Sequence, residues 1–314
     1  MKVLLTGGTG FIGSYVALEL ANRDHEVTIL ARNAHKVPAL RKIARIEIFE
    51  GSITDRKLLE RLVIGQDACI HLALNYTSRV GWEVLMDDTL PTVFLASAAA
   101  QAQVKHFIYT SSTAANDSLY MGGASEEEAA IKTVTTSTKP HPATFYGATK
   151  AASENYLIAQ SHDSTMRVNI IRPGYTFGNP VVPSASTQGD IRFRNIVQAA
   201  RENRPIHVIK NDGTQFIWAG DLAKLYLAVL ESKVNRKTYF GLSKTFVAWH
   251  AIAQEAIRQC SSKSPIEVED KGWSDAGLYW DVSDMKKDFG LEFDPWEKIV
   301  EHITYYKTRV GVIA

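Results

Sequence analysis

The chain has 314 residues, of which 45% are hydrophobic and 22% charged, and this composition excludes a disordered chain or a fibrous repeat. Its 35 basic and 34 acidic residues leave a formal net charge of +1, which gives no ground for a nucleic-acid or anionic-membrane surface. The length exceeds what one ordinary core serves, so either two lobes or a large α/β domain with an appendage is expected.

In chain order, Lys2 to Leu5 is a short apolar run that ends in a glycine cluster. Phe11 to Asn22 has helical spacing, with Ile12, Tyr15, Val16, Leu18 and Leu20 apolar. Strands are predicted at Glu26–Leu30, Ile46–Phe49, Ala68–Leu72, His106–Thr110 and Val168–Ile171, the last stopped by Pro173-Gly174. Helices are predicted after the Thr54-Asp55 cap, from Asp87-Asp88 to about Ala102, and from Phe145 to Ala159. Strands apolar on both faces and separated by helices read as a doubly wound parallel sheet, an α/β Rossmann-type fold. The dinucleotide-binding domain is expected over residues 1–174, with 220–242 returning to it. Residues 175–219 and 243–314 are expected to form a smaller C-terminal lobe for substrate. That lobe shows a Pro/Ser/Thr-rich loop at Asn179–Gly189 and helices at Arg192–Glu202, Val247–Gln259 and Trp296–Tyr306; Asp221–Leu230 is the helix of the returning segment. Ala114–Pro142, polar and containing Gly122-Gly123, reads as the segment with most freedom to move.

Cys69 lies in an apolar run and is expected to be a buried structural thiol. The two cysteines suggest no disulfide, and no metal-ligand spacing is present, so no metal site is expected. MKVLLTGG enters a strand directly, with no leader pattern, and no apolar run is long enough to span a bilayer. A cytoplasmic location follows as the expectation.

Gly7-Gly8-Thr9-Gly10-Phe11-Ile12-Gly13 follows a strand and opens a helix, the context that turns a glycine pattern into a dinucleotide site. Gly7 allows the turn, Gly10 lets backbone approach a pyrophosphate, and Gly13 lets the helix pack close to the sheet. Free N–H groups of the first turn then face the phosphates. The acid that would hold the adenosine ribose hydroxyls is missing after strand two, which ends Leu30-Ala31-Arg32-Asn33. A guanidinium there can bind a 2′-phosphate, so NADP(H) is favoured over NAD(H), and a solvated loop arginine is the alternative.

Tyr146 and Lys150 stand four residues apart, one helical turn, on one face. A free phenol has a pKa near ~10 and is a poor base at neutral pH; a neighbouring ammonium stabilises its phenolate. Ser112 lies just past strand five, at the sheet edge where open α/β folds bind ligands, and its hydroxyl can hold a substrate oxygen. The plain alternatives are a chance helical pair and hydroxyls that only end a strand.

Together TGGTGFIG (6–13), CIHLA (69–73), YTSST (109–113), YGATK (146–150), RPGYTFG (172–178) and GDLA (220–223) resemble the NAD-dependent epimerase/dehydratase family, the extended short-chain dehydrogenases. The resemblance covers nearly the whole chain. It implies Ser112 as the catalytic Ser/Thr, Tyr146 as the acid/base and Lys150 as its partner. It implies a cofactor groove drawn from Gly7, Thr9, Gly10, Phe11, Ile12, Gly13, Arg32, Asn33, Ser52, Ile53, Leu72, Ala73, Tyr146, Lys150 and Pro173. It also implies a homodimer through the helices at Asp88–Ala102 and Phe145–Ala159.

The departures concern substrate. Tyr175 stands where family sugar-nucleotide epimerases carry a diphosphate-binding Asn, and Gly213-Thr214-Gln215-Phe216-Ile217 lacks their arginine. Thr113-Ala114 replaces the Asp-Glu pair of the dehydratases, and Gly51-Ser52-Ile53 replaces an adenine-reading Gly-Asp-Ile. Substrate-side candidates are Thr113, Tyr175 and Arg192; Arg192 and Arg194 are possible phosphate contacts or a solvated helix face. Three readings compete: an enzyme of nucleotide sugars or related hydroxy compounds, an NADPH-dependent carbonyl reductase like the dihydroflavonol-reductase branch, and a cofactor-binding regulator without catalysis. The intact Ser/Tyr/Lys set argues against the third.

Overall fold

The computed structural model describes residues 1–75, 80–121, 125–273 and 277–309. The first half alternates strand and helix: β1 (Lys2–Thr6), α1 (Phe11–Asn22), β2 (Glu26–Ala31), β3 (Ile46–Glu50), α2 (Arg56–Leu62), β4 (Ala68–His71), α3 (Gly81–Val84), α4 (Leu90–Gln101) and β5 (His106–Thr110). Short elements α5 (Asp117–Tyr120), α6 (Glu126–Ala129) and β6 (Thr133–Val134) lead to α7 (Phe145–His162) and β7 (Arg167–Pro173). There follow β8 (Thr176–Phe177), α8 (Arg192–Arg201), β9 (Ile206–Ile209), β10 (Gly213–Thr214), β11 (Ile217–Trp218), α9 (Ala219–Glu231) and β12 (Thr238–Gly241). The chain closes with β13 (Val247–Ala248), α10 (Trp249–Cys260), β14 (Ile266–Glu269), β15 (Tyr279–Trp280), α11 (Ser283–Phe289) and α12 (Trp296–Thr308).

Seven strands form one sheet in the order β12-β7-β5-β4-β1-β2-β3, every pairing parallel. β1, β4 and β5 are buried nearly throughout, as a sheet covered on both faces requires. One apolar cluster packs α1 and α9 on one face; another packs α2, α4 and α7 on the other. Strand order reverses between β1 and β4, so a crevice opens beyond their carboxyl ends, where such sheets bind ligands. A third cluster, including Phe193, Phe216, Trp249, Ile252 and Ile299, joins α8, α10 and α12. Trp280, Met285 and Phe293 pack instead into the cluster beside β12. Among the described residues no helix is long and apolar enough to cross a membrane.

Two expectations need correction. The helix expected to open at Asp87-Asp88 begins at Gly81 and runs through a π turn over Leu85–Thr89 into α4. Asp88 is fully buried inside it because its charge is met by a distant lysine, not by a helix end. Pro91, which has no N–H to give, is accommodated directly after that wider turn. Within Ala114–Pro142, Asn116 Nδ2 donates to the Lys139 carbonyl at 2.7 Å, His141 N donates to the Ala115 carbonyl at 2.9 Å, and β6 pairs with β15. Gly122-Gly123 lies outside the described residues. Val247 and Ala248 form a strand against β10, so the next helix starts at Trp249.

Candidate active site

The glycine loop sits at the strand-order switch. Gly7 has φ +75°, and a Cβ there would stand 2.7 Å from the Ala73 nitrogen, so only glycine allows the loops after β1 and β4 to touch. A Cβ on Gly13 would stand 2.1 Å from the Gly7 carbonyl oxygen, which is why α1 can start this close to the loop. Gly10 is the N-cap of α1 and no side chain caps it, leaving first-turn N–H groups available to an anion. These features fit a dinucleotide pyrophosphate. Arg32 and Asn33 are exposed just past β2, and Asn33 Oδ1 accepts from His35 N at 2.9 Å. Ser52 Oγ accepts from Thr54 N at 3.2 Å, and Ile53 is buried behind it. Ala73 N donates to Thr6 Oγ1 at 3.2 Å, and Pro173 ends β7.

Tyr146 and Lys150 lie on the first turns of α7, and an acid fixes the start of that helix. Thr144 caps it by accepting from Gly147 N at 3.0 Å, while Asp117 accepts from both Ala143 N and Thr144 Oγ1. Tyr146 and Ser112 open onto one large cavity. Ser112 Oγ accepts from Ala114 N at 3.1 Å, which turns the chain away from β5 and orients the hydroxyl. Lys150 is buried behind Tyr146, its Nζ 5.9 Å from that ring's centroid and 5.1 Å from the Tyr109 ring's. Burial works against its charge, but Tyr109, Asp88 and Tyr146 outweigh it and hold the ammonium above its ordinary value.

A buried relay of hydrogen bonds ties this pair to the glycine loop. Thr92 Oγ1 donates to the Asp88 carbonyl at 2.8 Å, so its oxygen must accept from His71 Nε2, also at 2.8 Å. His71 Nδ1 is then the acceptor for Thr6 Oγ1 at 2.6 Å. The ring is neutral: burial lowers His71 to about 4, with Asp88 opposing and Lys150 assisting.

The cavity has a volume of about 1440 Å³ and runs from the sheet edge to the lobe around α8 and α10. Thr113, Tyr175 and Arg192 all line it; Arg194 is not among its lining residues. The Tyr175 ring packs edge-on against Phe216 at 4.8 Å and Trp249 at 5.5 Å, so the position assigned to a diphosphate contact is part of an aromatic wall. Arg192 lies over the Trp249 ring at 4.4 Å and Tyr175 at 5.1 Å, and its guanidinium bonds Asp190 through Nε at 2.9 Å and Nη2 at 2.8 Å. Asp88, His71, Asp117 and Trp249 were not singled out as site residues from the sequence. Asp117, five residues after Ser112 in a polar segment, is the one with a local signal. Among the described residues no cluster of His, Cys, Asp and Glu suits a metal ion.

The doubly wound parallel sheet with a glycine loop at its strand-order switch is the architecture of a dinucleotide-binding domain. Residues 3–240 match the model of the NAD dependent epimerase/dehydratase family, and the chain belongs to that family. It is 30% identical over 193 residues to a 3 beta-hydroxysteroid dehydrogenase/Delta 5-->4-isomerase of Mycobacterium tuberculosis, a match covering 57% of this chain and 48% of the relative. The chain thus spans about half the length of the first curated relatives it matches. A putative UDP-arabinose 4-epimerase of Arabidopsis thaliana is 27% identical over 300 residues, covering 85% of this chain and 65% of that protein. The structure of UDP-glucuronic acid 4-epimerase from Bacillus cereus in complex with NAD superposes with a TM-score of 0.79 at 17% identity, over 98% and 100% of the two chains.

Proposed function

We propose that this enzyme interconverts a carbonyl and a secondary alcohol in a largely apolar substrate, with Tyr146 as the proton-transfer residue, Lys150 its electrostatic partner and Ser112 the group that holds the reacting oxygen. The observation that carries this reading is the opening of Tyr146 and Ser112 onto one cavity, with Lys150 buried directly behind. A nicotinamide cofactor held by its pyrophosphate at the glycine loop would supply or accept the hydride. In the reducing direction the carbonyl carbon gains that hydride, the oxygen takes the Tyr146 proton to become a hydroxyl, and the phenolate recovers a proton from solvent. Gly7, Gly10, Gly13 and the first turn of α1 would hold the pyrophosphate, and Lys150 remains a candidate contact to the cofactor ribose.

Charge supports the apolar substrate. Among the described residues the cationic lining residues are Lys132 and Arg192, matched by the acids Asp117 and Asp212, and Arg192 is already bonded to Asp190. A nucleotide diphosphate would bring two further negative charges to walls with no positive excess. Trp249, Trp280, Tyr175, Phe246 and Leu242 offer instead a surface for rings and aliphatic carbon. The UDP-sugar reading keeps the support of the UDP-sugar epimerases that align with this chain, one of them over 300 residues. We assign residues 175–219 and 243–314 to substrate selection and residues 1–174 with 220–242 to the cofactor. The cofactor assigned is NADP(H), through Arg32, and the location is the cytoplasm. Trp82, Leu85, Met86, Phe145 and Tyr156 expose apolar surface on the helices around α3 and α7, where we place a second copy of the chain; sedimentation at micromolar concentration should show a dimer.

Fluorescence titration tests cofactor and substrate class together. NADPH should bind more tightly than NADH, and Arg32→Ala should raise the NADPH dissociation constant about tenfold while leaving NADH unchanged. UDP-glucose should not shift either titration. Equal binding of the two cofactors before and after the substitution would remove Arg32 from the site, and a clear response to UDP-glucose would restore the epimerase reading.

A further inference from the structure

Asp88 is a fully buried carboxylate in the middle of a continuous helix, at a π turn. Buried carboxylates are costly unless matched, and π turns interrupt helices at sites of function more often than elsewhere. Its Oδ1 accepts from Asn75 N at 3.2 Å, whereas its Oδ2 is buried without a hydrogen bond and points at Lys150 Nζ, 3.6 Å away. The turn that carries it is fastened on two sides. Thr89 Oγ1 meets Thr149 Oγ1 at 2.6 Å, one residue before Lys150, and the Asp88 carbonyl ends the Thr6–His71–Thr92 relay from the cofactor loop. An uncharged side chain would satisfy the helix equally well here, so the carboxylate calls for an explanation at Lys150.

We propose that Asp88 is a positioning residue of the proton relay: it fixes the Lys150 ammonium and offsets its charge, so that at neutral pH Tyr146 donates a proton to a carbonyl oxygen more readily than it accepts one from an alcohol. This rests on the reading of Tyr146 as the proton-transfer residue and adds a preferred direction, reduction. Among the described residues, the other titratable groups facing Lys150 are Tyr109 on β5, Tyr146 on α7, His71 on β4 and Tyr226 on α9. Burial keeps His71 neutral and pushes the Tyr109 phenol up to about 12 and the Tyr226 phenol still higher. Asp88 is the one carboxylate in this set, and it faces the ammonium at 3.6 Å. Removing it leaves the ammonium uncompensated beside Tyr146, which favours the phenolate.

The test is a phenolate absorbance titration of the full chain against its Tyr146→Phe variant, repeated in an Asp88→Asn background. The difference signal should reach its midpoint about one pH unit lower once Asp88 is gone. The alkaline limb of carbonyl reduction should move by the same amount, and Asp88→Glu should return both toward the starting values. An unmoved midpoint, or one displaced upward because Lys150 loses its proton, would overturn the proposal. Asp88→Ser serves for the same titration if Asp88→Asn does not fold. Because absorbance needs no turnover, it reports on Asp88 even if Tyr146→Phe keeps full activity, the result that would instead defeat the catalytic reading of Tyr146.

Discussion

Tyr146→Phe should lower kcat roughly 10²- to 10⁴-fold, the contribution of a positioned general acid. The substitution removes one oxygen from a half-buried ring. The cap of α7 by Thr144 and the grip of Asp117 on Ala143 and Thr144 stay intact, so folding should be unchanged. Lys150 keeps Asp88 and the Tyr109 ring, and the glycine loop lies on other elements, so the dissociation constant of the cofactor should change little. The signature is a fall in kcat with KM and cofactor binding preserved, read by steady-state kinetics and fluorescence titration. A variant with full kcat would remove the phenol from the reaction.

The largest expected effect on stability lies just behind the site. Arg172 on β7 donates from Nε to Glu154 Oε1 at 2.8 Å and from Nη2 to Oε2 at 2.6 Å, and both side chains are about 95% buried. Ser111 Oγ donates to the same carboxylate, and Arg172 Nη1 reaches Asn116 Oδ1 at 3.3 Å. Arg172→Met would leave Glu154 charged, buried and stripped of its main partner, a loss of about 3–5 kcal/mol measurable by urea unfolding. Replacing both, as Glu154→Leu with Arg172→Met, should recover most of that loss, because an apolar pair avoids the cost of burying two ions. Unchanged stability in the single variant would mean that solvent reaches Glu154. Since Ser111 and Asn116 flank the Ser112 turn, the single variant should also lose activity beyond its loss of folded protein.

What could be read from the sequence is what short spacings encode. The glycine loop was legible because each glycine answers a local demand, a positive φ at Gly7 and the close packing of α1 on the loop at Gly13. Tyr146 and Lys150 were legible because four residues make one helical turn. Strand positions followed from runs apolar on both faces. Asp88 misled because an acid three residues before a proline reads as a helix start, whereas the ammonium it faces, Lys150, lies 62 positions later. The cavity wall was equally hidden. Tyr175 in the bend before β8, Arg192 on α8 and Trp249 on α10 are far apart in the chain, and nothing in their spacing shows that an arginine will lie over both rings with an aspartate on its edge. Tyr175 was named as a substrate candidate through resemblance and Arg192 as a helix arginine able to meet a phosphate, and Trp249 was missed.

The account turns on what the cavity accepts. NADPH consumption by the purified enzyme, followed with a panel of apolar ring ketones beside UDP-4-ketosugars, measures this directly. The prediction is NADPH oxidation with apolar ketones, stoichiometric with the alcohol formed and absent from Tyr146→Phe. Turnover confined to the UDP-sugars, or NADPH oxidation with neither group, would contradict it.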